Sequence, residues 1–330
     1  NPTNGTEEIW RGVATNGGLT VDRKEIRTET YDSSNGLHTI VQTDILAPGQ
    51  PGEETNITIR LVQDFPWGSE LVAEIAGCEG ATTQVTTYAF YTNALDTNNY
   101  GRLWLAENPD GSWSRIEYDP AGRETVVCGP FGNSPAAALT NECRATRHCY
   151  AGDPVLAALH FPTNDIAEEA DTRPRLVTEE VLGREVARTY YAYLDDGRQV
   201  VKRCATAGAA YDAADSLVTT TYYHTNGVLD GRIWKVERPD GTMSLSTYAF
   251  DPIAETLTTT NATGAGDGAR VTNGTETVTV ADSENRMLRT LTRDIVSGIL
   301  LSDMRYERDA FGRPTCESNA LNGAFTTREY

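Results

Sequence analysis

The residues best suited to metal or redox chemistry are six cysteines and four histidines, and four of these crowd together. Cys143, His148, Cys149 and His160 fall within eighteen residues. Zinc would accept all four donors, but a structural zinc site wants a tight Cys-x-x-Cys pair and none is present. The spacing instead offers a Cys143–Cys149 disulfide closing a short loop, or free thiols acting as small buried hydrophobes. The sequence leaves these two readings open. A calcium loop is imitated by Asp96-Thr97-Asn98-Asn99-Tyr100-Gly101 with Glu107 at the twelfth position. Tyr100 at position five and strand-like flanks argue against it. Paired carboxylates can hydrolyse a glycoside, but Glu107 and Glu237 each sit just before a Pro-Asp-Gly turn, where a solvated or arginine-paired side chain is the ordinary role. Trp104, Trp113 and Trp234 are of the type that stacks on sugars, or that packs a core. His38, His148, His160 and His224 stand in separate contexts. No nucleophile elbow, phosphate loop, His-Glu-x-x-His or dinucleotide fingerprint occurs, so no cofactor and no catalytic residue is expected.

The charge balance narrows the partners. Across 330 residues, 47 acids face 28 bases, a net charge of −19. Phosphate recognition depends on clustered Lys and Arg, and Lys24, Lys202 and Lys235 lie far apart among scattered arginines. Nucleic acid is therefore not expected as a partner. No apolar run approaches the roughly 18–20 residues that span a bilayer, so no membrane span is expected. The start at Asn1 and the end at Tyr330, inside a repeat, read as a piece of a longer protein.

What must position these residues is a set of strands. Runs such as Thr82–Tyr88 and Val218–Tyr223 are rich in threonine and tyrosine and punctuated by Gly, Asp and Asn. Thr275–Val280 alternates with a period of two. Self-similarity is the strongest signal. Gly101-Arg102-Leu103-Trp104-Leu105-Ala106-Glu107-Asn108-Pro109-Asp110-Gly111 matches Gly231-Arg232-Ile233-Trp234-Lys235-Val236-Glu237-Arg238-Pro239-Asp240-Gly241 without a gap. Trp104 and Trp234 thus share a repeat position, and so do Glu107 and Glu237. A glycine also lies seven residues before a tyrosine at Gly111/Tyr118, Gly183/Tyr190, Gly241/Tyr248 and Gly323/Tyr330. The spacing predicts a glycine turn, a short strand and an aromatic anchor. A second turn then follows: Tyr118-Asp119-Pro120-Ala121-Gly122-Arg123, Tyr193-Leu194-Asp195-Asp196-Gly197-Arg198 and Tyr306-Glu307-Arg308-Asp309-Ala310-Phe311-Gly312-Arg313, with a weaker copy at Tyr31–Gly36. In this reading Tyr118, Tyr193, Tyr248 and Tyr306 anchor the sheet, and Gly122, Gly197 and Gly312 close turns. Arg123, Arg198 and Arg313 pair with acids on adjacent hairpins. Residues 129–175 break the pattern and read as an insertion with one or two short helices, one of them starting at Ser134-Pro135, and with an acidic run at Glu168–Asp171.

The Tyr-Asp-x-x-Gly-Arg units, separated by Pro-Asp-Gly turns and Thr/Tyr-rich strands, resemble the YD repeats of bacterial Rhs proteins, relatives of toxin-complex shell subunits and of teneurins. The resemblance runs from about Tyr31 to Tyr330, outside the insertion. It implies an all-β array of antiparallel hairpins forming a spiralling, shell-like sheet, with 1–330 as one array. The implied role is structural and non-enzymatic, in a secreted or surface-displayed shell. Its implied partners are the flanking repeats of the same polypeptide and an enclosed cargo. A glycan- or protein-binding adhesin and a carbohydrate-active enzyme stand as alternatives. The Asp-Pro-x-Gly-Leu pattern of the family's self-cleaving segment is absent, so self-cleavage is not expected.

Overall fold

A computed structural model describes residues 4–15, 18–78, 83–166, 168, 172–309 and 311–328. Tyr330 and most of the acidic run, residues 169–171, lie outside the described residues. The β-branched and aromatic side chains that fill the chain suit a pleated surface, and the fold is all-β. Its strands are β1 (Gly5–Thr15), β2 (Gly18–Asp32), β3 (Leu37–Leu46), β4 (Glu54–Phe65), β5 (Gly68–Cys78), β6 (Gln84–Phe90), β7 (Leu103–Glu107), β8 (Trp113–Tyr118), β9 (Glu124–Gly129), β10 (Arg144–Cys149) and β11 (Leu176–Val181). They continue as β12 (Arg184–Tyr193), β13 (Arg198–Cys204), β14 (Leu217–Tyr223), β15 (Ile233–Glu237), β16 (Thr242–Asp251), β17 (Thr256–Gly266), β18 (Val271–Asp282), β19 (Met287–Asp294), β20 (Leu300–Arg308), β21 (Pro314–Asn319) and β22 (Phe325–Thr327). Helical structure among the described residues is limited to short 3-10 turns at Thr140–Glu142, Pro154–Ala158 and Gly227–Leu229.

The chain packs as two compact units, 1–148 with 177–186 and 149–176 with 187–330. In the first, β1 to β10 each pair antiparallel with the next strand in sequence. Cross-strand neighbours share a face, so the register sorts side chains by chemistry. Thr28, Val41, Ile59, Ile75 and Val85 form one row across β2 to β6, beside Ile26, Thr43 and Ile57 in the next. The reverse face carries Arg27 and Gln42 in one row, and Glu29, Ile40, Arg60 and Glu74 in another. It is laced by ion pairs such as Arg23–Asp44 at 3.1 Å and Arg60–Glu74 at 2.7 Å. Ala73 is the one buried residue described in β1–β6, as befits a sheet one layer thick with an apolar and a charged face.

Buried cores form where irregular segments fold over the sheet. In the first unit, residues 130–143 cross β7–β9 and enclose Trp113, Val126, Cys128, Ala138, Cys143 and Ala145. The Trp113 indole N–H donates to the Ser134 carbonyl at 2.9 Å, and the Arg115 guanidinium donates to Ala136 and Ala138 carbonyls at 2.8 Å. Those bonds explain why the helix expected from Ser134 does not form. Its carbonyls are taken by side chains from the sheet, and the Ser134 hydroxyl accepts from the Phe131 N–H at 2.8 Å instead of capping. A single turn, Ala138 N–H to Pro135 O at 2.9 Å, remains. The stretch 129–175 is also interrupted by β10, which pairs with β9 and carries the sheet through it. In the second unit β12 to β22 pair in sequence order. Leu156, Leu159, Phe161, Ala209 and Tyr211 cover Leu176, Tyr190 and Cys204 there.

Candidate functional site

The sequence-derived signature residues converge on one recurring device, a locked hairpin turn. At Asp119-Pro120-Ala121-Gly122-Arg123 the Asp119 N–H donates to the Arg123 carbonyl at 2.9 Å and the Gly122 N–H to the Asp119 carbonyl at 2.9 Å. This is a type I turn closed by a glycine at φ +84°. The Asp119 carboxylate then accepts the Arg123 backbone N–H at 2.9 Å and its guanidinium at 2.7 and 2.6 Å. Asp309, Gly312 and Arg313 repeat the arrangement, with 2.9 Å from the Arg313 backbone N–H and 2.7 Å from its guanidinium. At the Tyr193 copy Leu194 takes the first position, and Asp196 moves inward to bind Arg198 at 2.8 Å. The acid that Arg123, Arg198 and Arg313 each bind here lies in its own turn, where adjacent hairpins were expected to supply it. A four-residue turn already brings guanidinium and carboxylate face to face. One lock went unread in the sequence: Asp282 holds Arg286 at 2.7 Å, with Asn285 at φ +61° in the glycine position. Asn is the residue other than Gly most able to take that conformation, and the unchanged Asp-to-Arg spacing was the available signal.

Turns two apart along the chain are coupled through a glycine and an arginine at two places. A Cβ built on Gly122 would lie 2.3 Å from the Arg102 guanidinium, and one on Gly312 would lie 2.7 Å from that of Arg286. Arg102 donates to the Gly122 carbonyl at 3.2 Å and lies over the Tyr118 ring at 5.3 Å. Its repeat counterpart Arg232 lies over Tyr248 at 5.1 Å. The anchors also repeat: the Tyr118 hydroxyl donates to the Leu103 carbonyl at 3.0 Å and the Tyr248 hydroxyl to the Ile233 carbonyl at 2.7 Å. Tyr193 is buried, with the guanidiniums of Arg173 and Arg175 over its ring at 4.1 and 5.4 Å. Arg175 is itself buried against Asp165, and burial lowers its pKa to about 10. Tyr306 sits half-buried on β20 opposite Glu317. Tyr193, Gly197 and Arg198 meet Arg173, Gln199 and Tyr223 around an open groove of about 570 Å³.

The other candidates fall apart in space. Trp113 is 5% exposed inside the first core and cannot stack on a sugar. Trp104 and Trp234 are 39% and 37% exposed, each beside a tyrosine, Tyr91 at 6.4 Å and Tyr222 at 5.3 Å. Cys143 immediately precedes β10 and Cys149 ends it, and an extended strand rises about 3.3 Å per residue, so their backbones are about 20 Å apart. A disulfide needs less than about 7 Å between Cα atoms, which rules this pairing out. Cys149 packs instead against the Leu176 and Tyr190 cluster. Glu237 accepts from the Tyr222 hydroxyl and pairs with Lys235, each at 2.7 Å. Lys235 first, and then Tyr222, hold its carboxyl below the usual range, which is unsuited to a general acid. In the loop once compared with a calcium site, the Asp96 carboxylate accepts from the Asn99 amide at 2.8 Å, while Glu107 pairs with Thr87 and Trp113 in the ladder. No cluster of three metal-ligating side chains occurs among the described residues. No described helix is long and apolar enough to cross a membrane.

Fold and locks together define an all-antiparallel hairpin array built on a repeated turn. No family model matches the chain, and no curated protein does. Among solved structures, a porin-like protein from Bacteroides uniformis is similar at 11% identity and TM-score 0.31, over 78% of this chain and 94% of that one. A TcdB2-TccC3-Cdc42 structure is similar at 13% identity and TM-score 0.37, over 95% of this chain. A TcdB2-TccC3 structure without its hypervariable C-terminal region follows at 9% identity and TM-score 0.23, over 99%. The chain spans 18% and 23% of those two TcdB2-TccC3 chains.

Proposed function

We propose that this chain is a non-enzymatic wall segment of a Rhs-like shell, secreted or displayed at a cell surface. Flanking hairpins of the same polypeptide extend it, and the shell encloses a cargo. The observation that carries this reading is the one-layer sheet of β2–β6, with an apolar patch around Ile57, Ile59 and Ile75 on one face and the Arg23–Asp44 and Arg60–Glu74 ion pairs on the other. A wall between two compartments needs two such unlike faces. The Asp–Arg locks support the reading by giving four of the hairpins a local support of their own. The test is electron microscopy of the polypeptide that contains this segment. A hollow particle is expected, and a solid globular one would overturn the proposal.

A second reading, adhesion to glycans or proteins, is favoured by the matched exposure of Trp104 and Trp234. Glycan-array binding lost in Trp104→Ala and Trp234→Ala at unchanged melting temperature would support it over the wall. Turnover on a polysaccharide panel would instead revive the enzyme reading.

A further inference from the structure

Cys128 on β9 faces Ala145 on β10. Cys143 lies two residues before Ala145, and alternation along the strand sends it to the same face. Both side chains enter the core under 130–143, at 1% and 0% exposure. Both also meet the same residue: the Cys128 sulfur lies 3.9 Å from the Thr140 hydroxyl, and the Cys143 sulfur 3.6 Å from the Thr140 carbonyl. Diagonal neighbours across an antiparallel pair stand about 7–8 Å apart at Cα with their Cβ atoms closer, so bridging them takes a backbone approach of about 1 Å, at Cys143 just outside β10. We propose that Cys128 and Cys143 form an intramolecular disulfide that staples the 130–143 cover onto β9.

With glutathione disulfide as oxidant the step balances. One cysteine, deprotonated, attacks the oxidant and releases the first glutathione thiolate. The second cysteine gives up its proton and displaces the other glutathione from the mixed disulfide. Two protein thiols become one disulfide and the oxidant becomes two glutathione thiols. Burial, and then the neighbouring Cys128, push the Cys143 thiol up to about 11, so the folded thiol is a poor nucleophile. Oxidation accordingly belongs to folding, before the cover closes, and makes this a structural link rather than a switch.

The sequence offers a clean readout. Both cysteines, and no others, lie on the tryptic peptide 124–144. After refolding in a glutathione redox buffer and alkylation under denaturing conditions, that peptide is expected to carry no alkyl group and to be lighter by two hydrogens. Cleavage after Glu142 should leave its parts joined until reduction. The first unit's melt should fall by about 5–10 °C on reduction, a shift abolished in Cys128→Ser and Cys143→Ser. Two alkyl groups on 124–144, or a link from Cys143 to the peptide holding Cys149, would overturn the proposal. Because the mapping uses the unsubstituted protein, it decides the question even if a serine variant fails to fold.

Discussion

Asp119 shows how much one carboxylate contributes to its turn. It takes a backbone N–H and a guanidinium at once, with a side chain only 13% exposed. Asp119→Ala is expected to destabilise the first unit by about 1–3 kcal/mol, read as a lower denaturation midpoint. Tyr118→Phe removes only the bond to the Leu103 carbonyl and should cost about 1 kcal/mol in the same assay. Acid should act on the locks together. Burial pushes the Asp119 carboxyl up, but the Arg123 bonds outweigh it, so its pKa falls below the ordinary 3.8. Those of Asp110 and Asp282 are lowered chiefly by bonds from Ser112 and from the Arg286 backbone. A carboxyl with a lowered folded-state pKa contributes fully above its unfolded value and loses that contribution as pH falls through the folded one. Melting temperatures are thus expected to hold from neutrality to about pH 4 and to drop below it. The tyrosines, glycines and Asp-Arg pairs were legible because they are local and recur. What escaped was non-local or disguised: Asn285 standing for glycine, and Cys128 lying fifteen residues before the partner it meets.

At the scale of the element, the glycines separate two requirements. Gly111 has φ +81° with open space around the position of a Cβ, whereas Gly122 has φ +84° and the Arg102 guanidinium on top of it. Gly111→Ala should cost about 1 kcal/mol, for the left-handed backbone alone. Gly122→Ala should cost more, because Arg102 must also leave Tyr118 and the Gly122 carbonyl. Equal midpoint shifts in a denaturant titration would show that the arginine contact carries no weight. Strands and turns followed from residue type and period. The covers did not: alanines after Ser134-Pro135 favour a helix in isolation, and only the indole of Trp113 and the guanidinium of Arg115 redirect their backbone.

At the scale of a whole unit, the described residues of β1–β6 bury only Ala73. Much of what is exposed is sheet face. A shallow hollow of about 180 Å³ lined by Ile57, Ile59 and Ile75 lies on the apolar side of β4 and β5. The chain should therefore bind an environment-sensitive naphthalene dye while fully folded. Ile59→Thr is expected to weaken that fluorescence with a melting temperature lowered by less than about 3 °C, since the side chain leaves a half-exposed face rather than a packed core.

Sequential strand pairing has a consequence for synthesis. Within each unit, through β1 to β10 and β12 to β22, a strand's partner is the one translated just before it. A ribosome delivering the chain from its N-terminus therefore presents each new strand to a finished edge, across a loop short enough to close in well under a microsecond. Growth of the sheet can keep pace with translation. The covers come late in opposite ways: 130–143 closes over β7–β9 that precede it, whereas 149–161 is made first and must wait for the strands carrying Leu176, Tyr190 and Cys204.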